Sequence, residues 1–252
     1  MKKYEILKND FKTVGNINLY RIRALKSFGN VTEGETGGYI EKEDNLSQKG
    51  SAWIFGNARV YGYASVSDNA RVYGSAWIFG SAWIFGNASV YGNASVSGNA
   101  SVSGNASVYG YASVSDNASV YGSASVSGNA SVYGNASVSD NASVSDNASV
   151  YGYASVYGDA RVYGDARVSG SASVYGDARV SGSAWDKPPL YIVGTRHSLC
   201  NSKFGYLQIG CEEHKFEYWA KHYEAIGRKN DYTEDEIKEY ELYIKVFCKI
   251  GR

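Results

Sequence analysis

The middle of the chain alternates small apolar and polar positions with a period of six residues. From Ser51 to Gly182 each unit reads Ala, variable, Val or Ile, variable, Gly or Asp after a first residue that is small or Asn in most units, through 22 consecutive units without an insertion. In residues 87–92, Asn-Ala-Ser-Val-Tyr-Gly, Ala88 and Val90 lie two positions apart and therefore on one side of a strand, while the Ser and Tyr point the other way. Each unit is predicted to form one short β-strand.

Every unit ends in a residue pair that favours a sharp bend: Gly-Asn, Asp-Asn, Gly-Ser, Gly-Asp or Gly-Tyr. Gly, Asn and Asp tolerate the left-handed backbone conformation that such corners need. One short strand cannot bury its apolar stripe alone, so successive units must wind around a common axis and stack. The pattern predicts an all-β solenoid whose narrow interior holds Ala and Val, with Ile replacing Val only at Ile54, Ile78 and Ile84.

The Ala-x-Val spacing, as in residues 100–102, resembles the hexapeptide signature of left-handed parallel β-helices. The resemblance implies a triangular cross-section with three units per coil, and it alone implies the left hand, because ordinary parallel crossovers are right-handed. Residues i and i+18 then lie above one another. About eight coils would form a rod roughly 40 Å long. Recent duplication and deliberate consensus idealisation would each produce units as similar as these.

The chain divides into a small N-terminal β cap over residues 1–44, the hexapeptide-repeat β-helix over 45–186 and a C-terminal α+β cap over 187–252. The N-terminal passage, in which residues 17–25 alternate like a strand, resembles the entry segment of uncharacterised bacterial and phage hexapeptide-repeat proteins labelled as acyltransferases. Caps are expected because each would cover an open strand edge that otherwise templates end-to-end polymerisation.

In the C-terminal cap, Pro188 and Pro189 stop the repeat because proline cannot donate to a strand ladder. Residues 190–193 and 204–211 predict a hairpin with its turn at 201–203. Two helices follow, the first ending near Gly227 and the second starting at a Thr233-x-x-Glu236 capping box. Both are expected to lay an apolar stripe on the last coil. The stripe residues are Phe216, Trp219, Tyr223 and Ile226 in the first helix, and Ile237, Tyr240, Ile244 and Phe247 in the second.

The charge of the chain does not favour nucleic acid or an anionic membrane as a partner, since 25 basic residues balance 25 acidic ones. No apolar run reaches membrane-spanning length, and residues 1–5 are not followed by a signal-peptide hydrophobic region. We therefore expect a cytoplasmic protein with reduced cysteines.

Left-handed β-helix acyltransferases use a histidine base at a trimer interface and a loop that interrupts the coils. Here the three histidines are His197, His214 and His222, all beyond the repeats, and no loop interrupts the units. Every Asp of the array occupies a corner, where it is a turn former. We expect no enzymatic activity and no cofactor. Since flat faces of this kind form trimers in those enzymes, self-association is a further expectation.

Zinc-ligand residue types occur as His197-x-x-Cys200 and Cys211-x-x-His214. The predicted hairpin places Cys200 beside its turn and Cys211 roughly 20 Å away near the other end. The four side chains are therefore not expected to bind a metal together.

The outward aromatic residues are the remaining candidates for function. Their candidate ligand-binding positions are Trp77, Phe79, Trp83, Phe85, Tyr73, Tyr91 and Tyr109. The Trp and Phe residues form a band around the second coil, part of which the N-terminal cap is expected to cover, and the Tyr residues form a ladder with Phe55. Two functions stay open: a rigid scaffold or spacer, and a module that binds a glycan or a protein through this surface. Ice binding is disfavoured because the array contains no Thr.

Overall fold

The repeats form a β-solenoid of about eight stacked coils. The computed structural model describes residues 2–182, 184–185 and 187–251, and each repeat within them contributes a strand of two or three residues. Parallel pairing joins successive coils with a step of 18 residues, as Ser89 pairs with Ser107 and Val90 with Val108. The last step is one residue shorter, because Arg167 pairs with Ala184. The prediction of three units per coil is confirmed, while the left hand of the coil stays a prediction.

The strands form three sheets, which we call face 1, face 2 and face 3. In the solenoid, face 1 contains Arg59–Val60, Trp77–Ile78, Ser95–Val96, Ser113–Val114, Ser131–Val132, Ser149–Val150, Arg167–Val168 and Ala184–Trp185. Face 2 contains Trp53–Ile54, Arg71–Val72, Ser89–Val90, Ser107–Val108, Ser125–Val126, Ser143–Val144, Arg161–Tyr163 and Arg179–Ser181. Face 3 contains Ser65–Val66, Trp83–Ile84, Ser101–Val102, Ser119–Val120, Ser137–Val138, Ser155–Val156 and Ser173–Val174.

The interior is a continuous prism of small side chains. From Ala52 to Val180, the Ala and the Val or Ile of every unit are at most 1 % exposed. Larger residues also continue these columns where the prism ends. Ile40 and Leu46 lie below the first Val residues of faces 1 and 3, and Trp185 takes a Val position on the last coil. These side chains therefore close the prism at both ends.

Most hydrogen bonds between coils run from an N–H group of one coil to a carbonyl of the next coil along the chain. The N–H of Ser89 donates to the carbonyl of Ala106 at 2.9 Å, and the N–H of Tyr91 donates to Val108 at 3.0 Å. The same step of 17 residues recurs along the solenoid. The open side of the first coil therefore presents mainly carbonyls and that of the last coil mainly N–H groups. The N-terminal cap must chiefly supply hydrogen-bond donors, and the C-terminal cap chiefly acceptors.

The N-terminal cap extends face 1 with the strands Tyr4–Val14, Ile17–Ala24 and Thr36–Ile40, followed by a 3₁₀ helix at Glu43–Asn45. The first two strands pair as an antiparallel hairpin, and the third pairs in parallel with the first solenoid strand of face 1. The strand predicted over 17–25 is confirmed. The first strand was missed because its side chains are mostly half-buried or exposed and show no apolar alternation.

This cap supplies donors to the carbonyls of the first coil. The backbone N–H of Tyr39 donates to Ala58, and that of Ser47 donates to Val66, both at 2.9 Å. Two buried side chains serve where the backbone does not reach. Asn45 Nδ2 donates to Ala64 at 2.8 Å, and Lys3 Nζ donates to Ala52 at 2.9 Å.

The C-terminal cap contains a four-stranded antiparallel sheet rather than a lone hairpin. Its strands are Tyr191–Val193, Ser198–Lys203, Tyr206–Ile209 and Glu212–Lys215, and the helices are α1, Phe216–Lys229, and α2, Glu234–Ile250. The turn predicted at 201–203 was misplaced and lies at Phe204 and Gly205, where Gly205 has φ +77°. The Thr233 to Glu236 capping box is confirmed, with reciprocal bonds of 3.2 and 2.7 Å.

The sequence suggested that the helices pack on the last coil, but they pack on this sheet instead. One sheet face buries Leu199, Leu207 and Ile209 against Trp219, Tyr240, Ile244 and Phe247 of the helices. On the opposite face, Cys200 and Tyr191 pack against the solenoid core. Because side chains alternate across a strand, the sheet can join the coil on one side and the helices on the other. No helix in the described part of the chain is long and apolar enough to cross a membrane.

Candidate functional site

The seven predicted binding residues lie on all three faces of the solenoid. Tyr73, Tyr91 and Tyr109 belong to face 2, Trp77 and Phe79 to face 1, and Trp83 and Phe85 to face 3. Each unit turns the chain by a third of a coil, so these residues surround the second coil and its neighbours. They cannot line one common site.

On face 2 the predicted ladder consists of two stacked pairs of rings rather than one continuous stack. The ring centroids of Phe55 and Tyr73 lie 4.6 Å apart with planes 10° from parallel, and those of Tyr91 and Tyr109 lie 4.9 Å apart at 1°. Rings stacked along the axis turn their faces toward neighbouring coils and their edges and hydroxyls toward solvent. This arrangement stabilises the stack but offers solvent little ring face for a flat ligand.

Three units share the sequence Ala-Trp-Ile-Phe-Gly, yet their tryptophans have different surroundings. Trp53 is fully buried by the N-terminal cap, with Tyr4 and Phe28 packed edge-on at 6.1 and 5.4 Å between centroids. The cap thus covers the first coil rather than the band on the second. Trp77 is half-buried, and the guanidinium of Arg59 lies 4.5 Å from its ring centre.

Trp83 is the open member of this group, with 61 % of its surface exposed. Its in-register neighbours on face 3 are Ser65 below and Ser101 above. No ring or cation stacks on its indole within the described part of the chain. The indole borders an open groove of about 190 Å³ lined by Ser65, Ser67, Asp68, Trp83, Ile84 and Phe85.

Asp68 forms the polar end of this groove at the corner that follows face 3. Its φ of +57° is the left-handed conformation that Asp tolerates. The carboxylate Oδ2 accepts a hydrogen bond of 3.0 Å from the N–H of Gly86, one coil further on. This bond holds the carboxylate beside the Trp83 unit.

A second groove, of about 430 Å³, lies where the C-terminal sheet meets the last coil and includes Arg179, Arg196 and His197. Asp177 joins the solenoid to the C-terminal sheet, because its carboxylate accepts hydrogen bonds from the hydroxyls of Tyr191 and Ser198, the latter at 2.7 Å. Partial burial raises the pKa of Asp177, but the hydrogen bonds to this carboxylate, together with the charge of Arg179, leave the pKa below its usual value. Sequence reasoning missed this junction, since its residues lie in separate segments.

The four suggested zinc ligands do not converge, for a reason other than the expected separation along a hairpin. Cys200 pairs with Gln208 and faces the solenoid, whereas His214 pairs with Leu207 and faces the helices, where it contacts Trp219. Opposite sheet faces cannot share one ion. The described residues contain no group of three or more His, Cys, Asp or Glu placed to hold a metal.

All three cysteines are free. Burial raises the pKa of Cys200 to about 12, so this thiol stays protonated at neutral pH and is a poor nucleophile. The histidines lie in the C-terminal cap. His214 bonds to Glu212 at 3.2 Å, and His222 bonds to the carbonyl of Tyr218 at 2.9 Å.

Comparison with known families agrees with the fold. Residues 52–67, 64–80, 160–176 and 172–186 match the family described as the YdcK beta solenoid repeat. These segments lie in coils near the two ends of the solenoid and cover less than half of the chain, which is thus similar to that repeat. No curated protein matches the chain.

Proposed function

We propose that this β-solenoid repeat protein is a non-enzymatic rigid spacer, which holds whatever its two caps contact at a fixed separation. The observation that carries the proposal is the unbroken hydrogen-bond ladder between coils, closed by the donors of the N-terminal cap. Neighbouring coils are joined on all three faces, and the interior is filled by Ala and Val throughout. Between residues 51 and 182 the coils follow one another without an inserted loop, which leaves this body little freedom to bend.

Catalysis is not part of the proposal. The support is the position of the three histidines in the C-terminal cap, where two are tied to neighbouring groups, together with the protonated Cys200. The second candidate function, binding through outward aromatic residues, is favoured by one observation, the uncovered indole of Trp83.

A distance measurement between the caps tests the spacer. Nitroxide labels at Glu33→Cys and Lys221→Cys, both exposed, would report the separation by pulsed electron–electron double resonance. Cys211 and Cys248 are first replaced by Ser so that only these two positions are labelled. We expect one narrow distance distribution. Deletion of residues 95–112, one coil in phase, should shorten the distance by about 5 Å without broadening it.

A broad or bimodal distribution in the full-length chain would contradict the spacer, because it would show a hinge between the caps. The matched control is a pair of labels within the N-terminal cap, whose distance should not change on deleting the coil. Circular dichroism of the shortened chain checks that the remaining coils are folded.

A further inference from the structure

We propose that Trp83, Phe85, Asp68, Ser65 and Ser67 form a binding site for one neutral hexopyranose ring, either free or at the end of a glycan. This inference names a ligand for the second candidate function, binding through outward aromatic residues. It does not depend on the proposed spacer role. It rests on a comparison between two units of identical sequence in different surroundings.

Residues 75–80 and 81–86 both read Ser-Ala-Trp-Ile-Phe-Gly. In the first unit Arg59 covers Trp77, and Tyr61 stacks on Phe79 at 5.4 Å between centroids. In the second unit, the two rings have no such partner in the part of the chain that the structure describes. Only the second unit therefore offers an aromatic platform to a ligand.

The polar groups beside the two units differ as well. The corner one coil below Gly86 is Asp68, whereas the corner one coil below Gly80 is Gly62. Asp68 uses Oδ2 for its bond to Gly86, which leaves Oδ1 to accept hydrogen bonds from a ligand. The hydroxyls of Ser65 and Ser67 line the same groove. An apolar plate, a carboxylate and two hydroxyls thus lie on one side of the solenoid.

This combination fits a sugar ring better than other ligands. A pyranose has C–H groups that pack on an indole face and hydroxyls around its rim that donate to a carboxylate. The groove of about 190 Å³ is smaller than the usual pockets of drug-sized molecules, so it suits a single ring. The carboxylate and the absence of a basic residue from the groove lining disfavour an anionic ligand.

A protein partner is disfavoured by area. Stable protein interfaces bury on the order of 1,200 Å² or more around a cluster of anchoring residues. Here two aromatic side chains are bordered on face 3 by the Ser residues of the coils above and below. A single sugar ring of about a dozen heavy atoms is expected to bind with a Kd on the order of 1 mM.

Saturation-transfer difference NMR is suited to this affinity. The probes are the α and β methyl glycosides of glucose, galactose and mannose, titrated to 50 mM against the full chain. We expect transfer to the ring C–H protons of at least one epimer. Trp83→Ala should weaken that signal at least tenfold, whereas Trp77→Ala, in the identical neighbouring unit, should leave it within twofold.

Asp68→Asn keeps a residue that tolerates the left-handed corner but removes the charge, and it should weaken binding several-fold. Circular dichroism and thermal unfolding check that the variants stay folded, as expected for the exposed Trp83. Absence of transfer from every probe at 50 mM would overturn the proposal, as would equal losses in Trp83→Ala and Trp77→Ala. Neither result would alter the distance between the caps, so the spacer is tested separately.

Discussion

At the scale of single residues, position along the axis decides what a side chain does. The same tryptophan is buried packing at position 53, a partner of Arg59 at position 77 and an open platform at position 83. Lys3 is the clearest case of a residue whose role its type does not suggest. Only 1 % of it is exposed, and its ammonium donates to Ala52 at the open end of the prism.

The pH dependence of stability should reveal this buried ammonium. Burial, with a smaller contribution from the charge of Lys26, lowers the pKa of Lys3 from 10.5 to about 8. The unfolded chain then holds a proton that the folded chain has released between about pH 8 and 10.5, so stability should rise with pH across this window. The gain is on the order of 2 to 3 kcal/mol.

Guanidinium unfolding of the native chain and of Lys3→Met at several pH values measures this effect. The difference in unfolding free energy between the two chains isolates Lys3, because tyrosines and Cys200 titrate in both. A difference that stays constant from pH 8 to 10.5 would show that Lys3 is not perturbed.

At the scale of the repeating element, corners stack as closely as strands. Corner residues adopt φ near +60° to +75°, and four of them are Asp, namely Asp68, Asp116, Asp140 and Asp146. Each of these carboxylates accepts a hydrogen bond from the Gly N–H one coil further on, at 3.0 to 3.2 Å. Corner Asp residues therefore join coils as well as turning the chain.

Two corner glycines of equal conformation separate the effect of backbone conformation from that of close stacking. Gly98 has φ +66°, and a Cβ there would lie 2.7 Å from the backbone N of Asp116. Gly164 has φ +65°, and a Cβ there meets no atom of the described residues within 4 Å. Gly164→Ala should cost about 1 to 2 kcal/mol for the left-handed conformation alone. Gly98→Ala should cost about 1 to 3 kcal/mol more because neighbouring coils must separate.

Thermal and chemical unfolding of the two variants compare these costs directly. Equal destabilisation would mean that the corner at Gly98 shifts freely and that coil spacing at the corners is soft.

At the scale of the whole molecule, the parallel stacking of the coils makes the two ends complementary. The first coil presents mainly carbonyls, to which the N-terminal cap donates, whereas the last coil presents mainly N–H groups on its open side. A copy of the solenoid could therefore add only head to tail, and only if both ends were open.

Removal of the caps should show this polarity. The fragment of residues 51–182 should assemble into open-ended fibres with a repeat near 4.8 Å along the axis. Chains that lack only residues 1–50 or only residues 187–252 should stop at small assemblies, because one end of every copy stays covered. Electron microscopy and light scattering distinguish the outcomes, and long fibres from either single deletion would contradict the complementary-end explanation.

The sequence by itself determined the solenoid, because a strict six-residue period leaves strands of one length, corners at fixed places and an interior of Ala and Val. It also located the two helices and the capping box at Thr233, since these depend on local spacing. The candidate surface was predicted as a set of residues but not as a site, because outward positions carry no signal about what covers them.

Tertiary structure decided the rest through contacts between distant segments. The placement of the first strand, the sheet between solenoid and helices, the Asp177 junction and the capping roles of Lys3 and Asn45 all depend on such pairings. It also decided that Arg59 covers Trp77 while Ser65 and Asp68 leave Trp83 open. Identical units differ only through neighbours 18 residues away, and stacking brings those neighbours together.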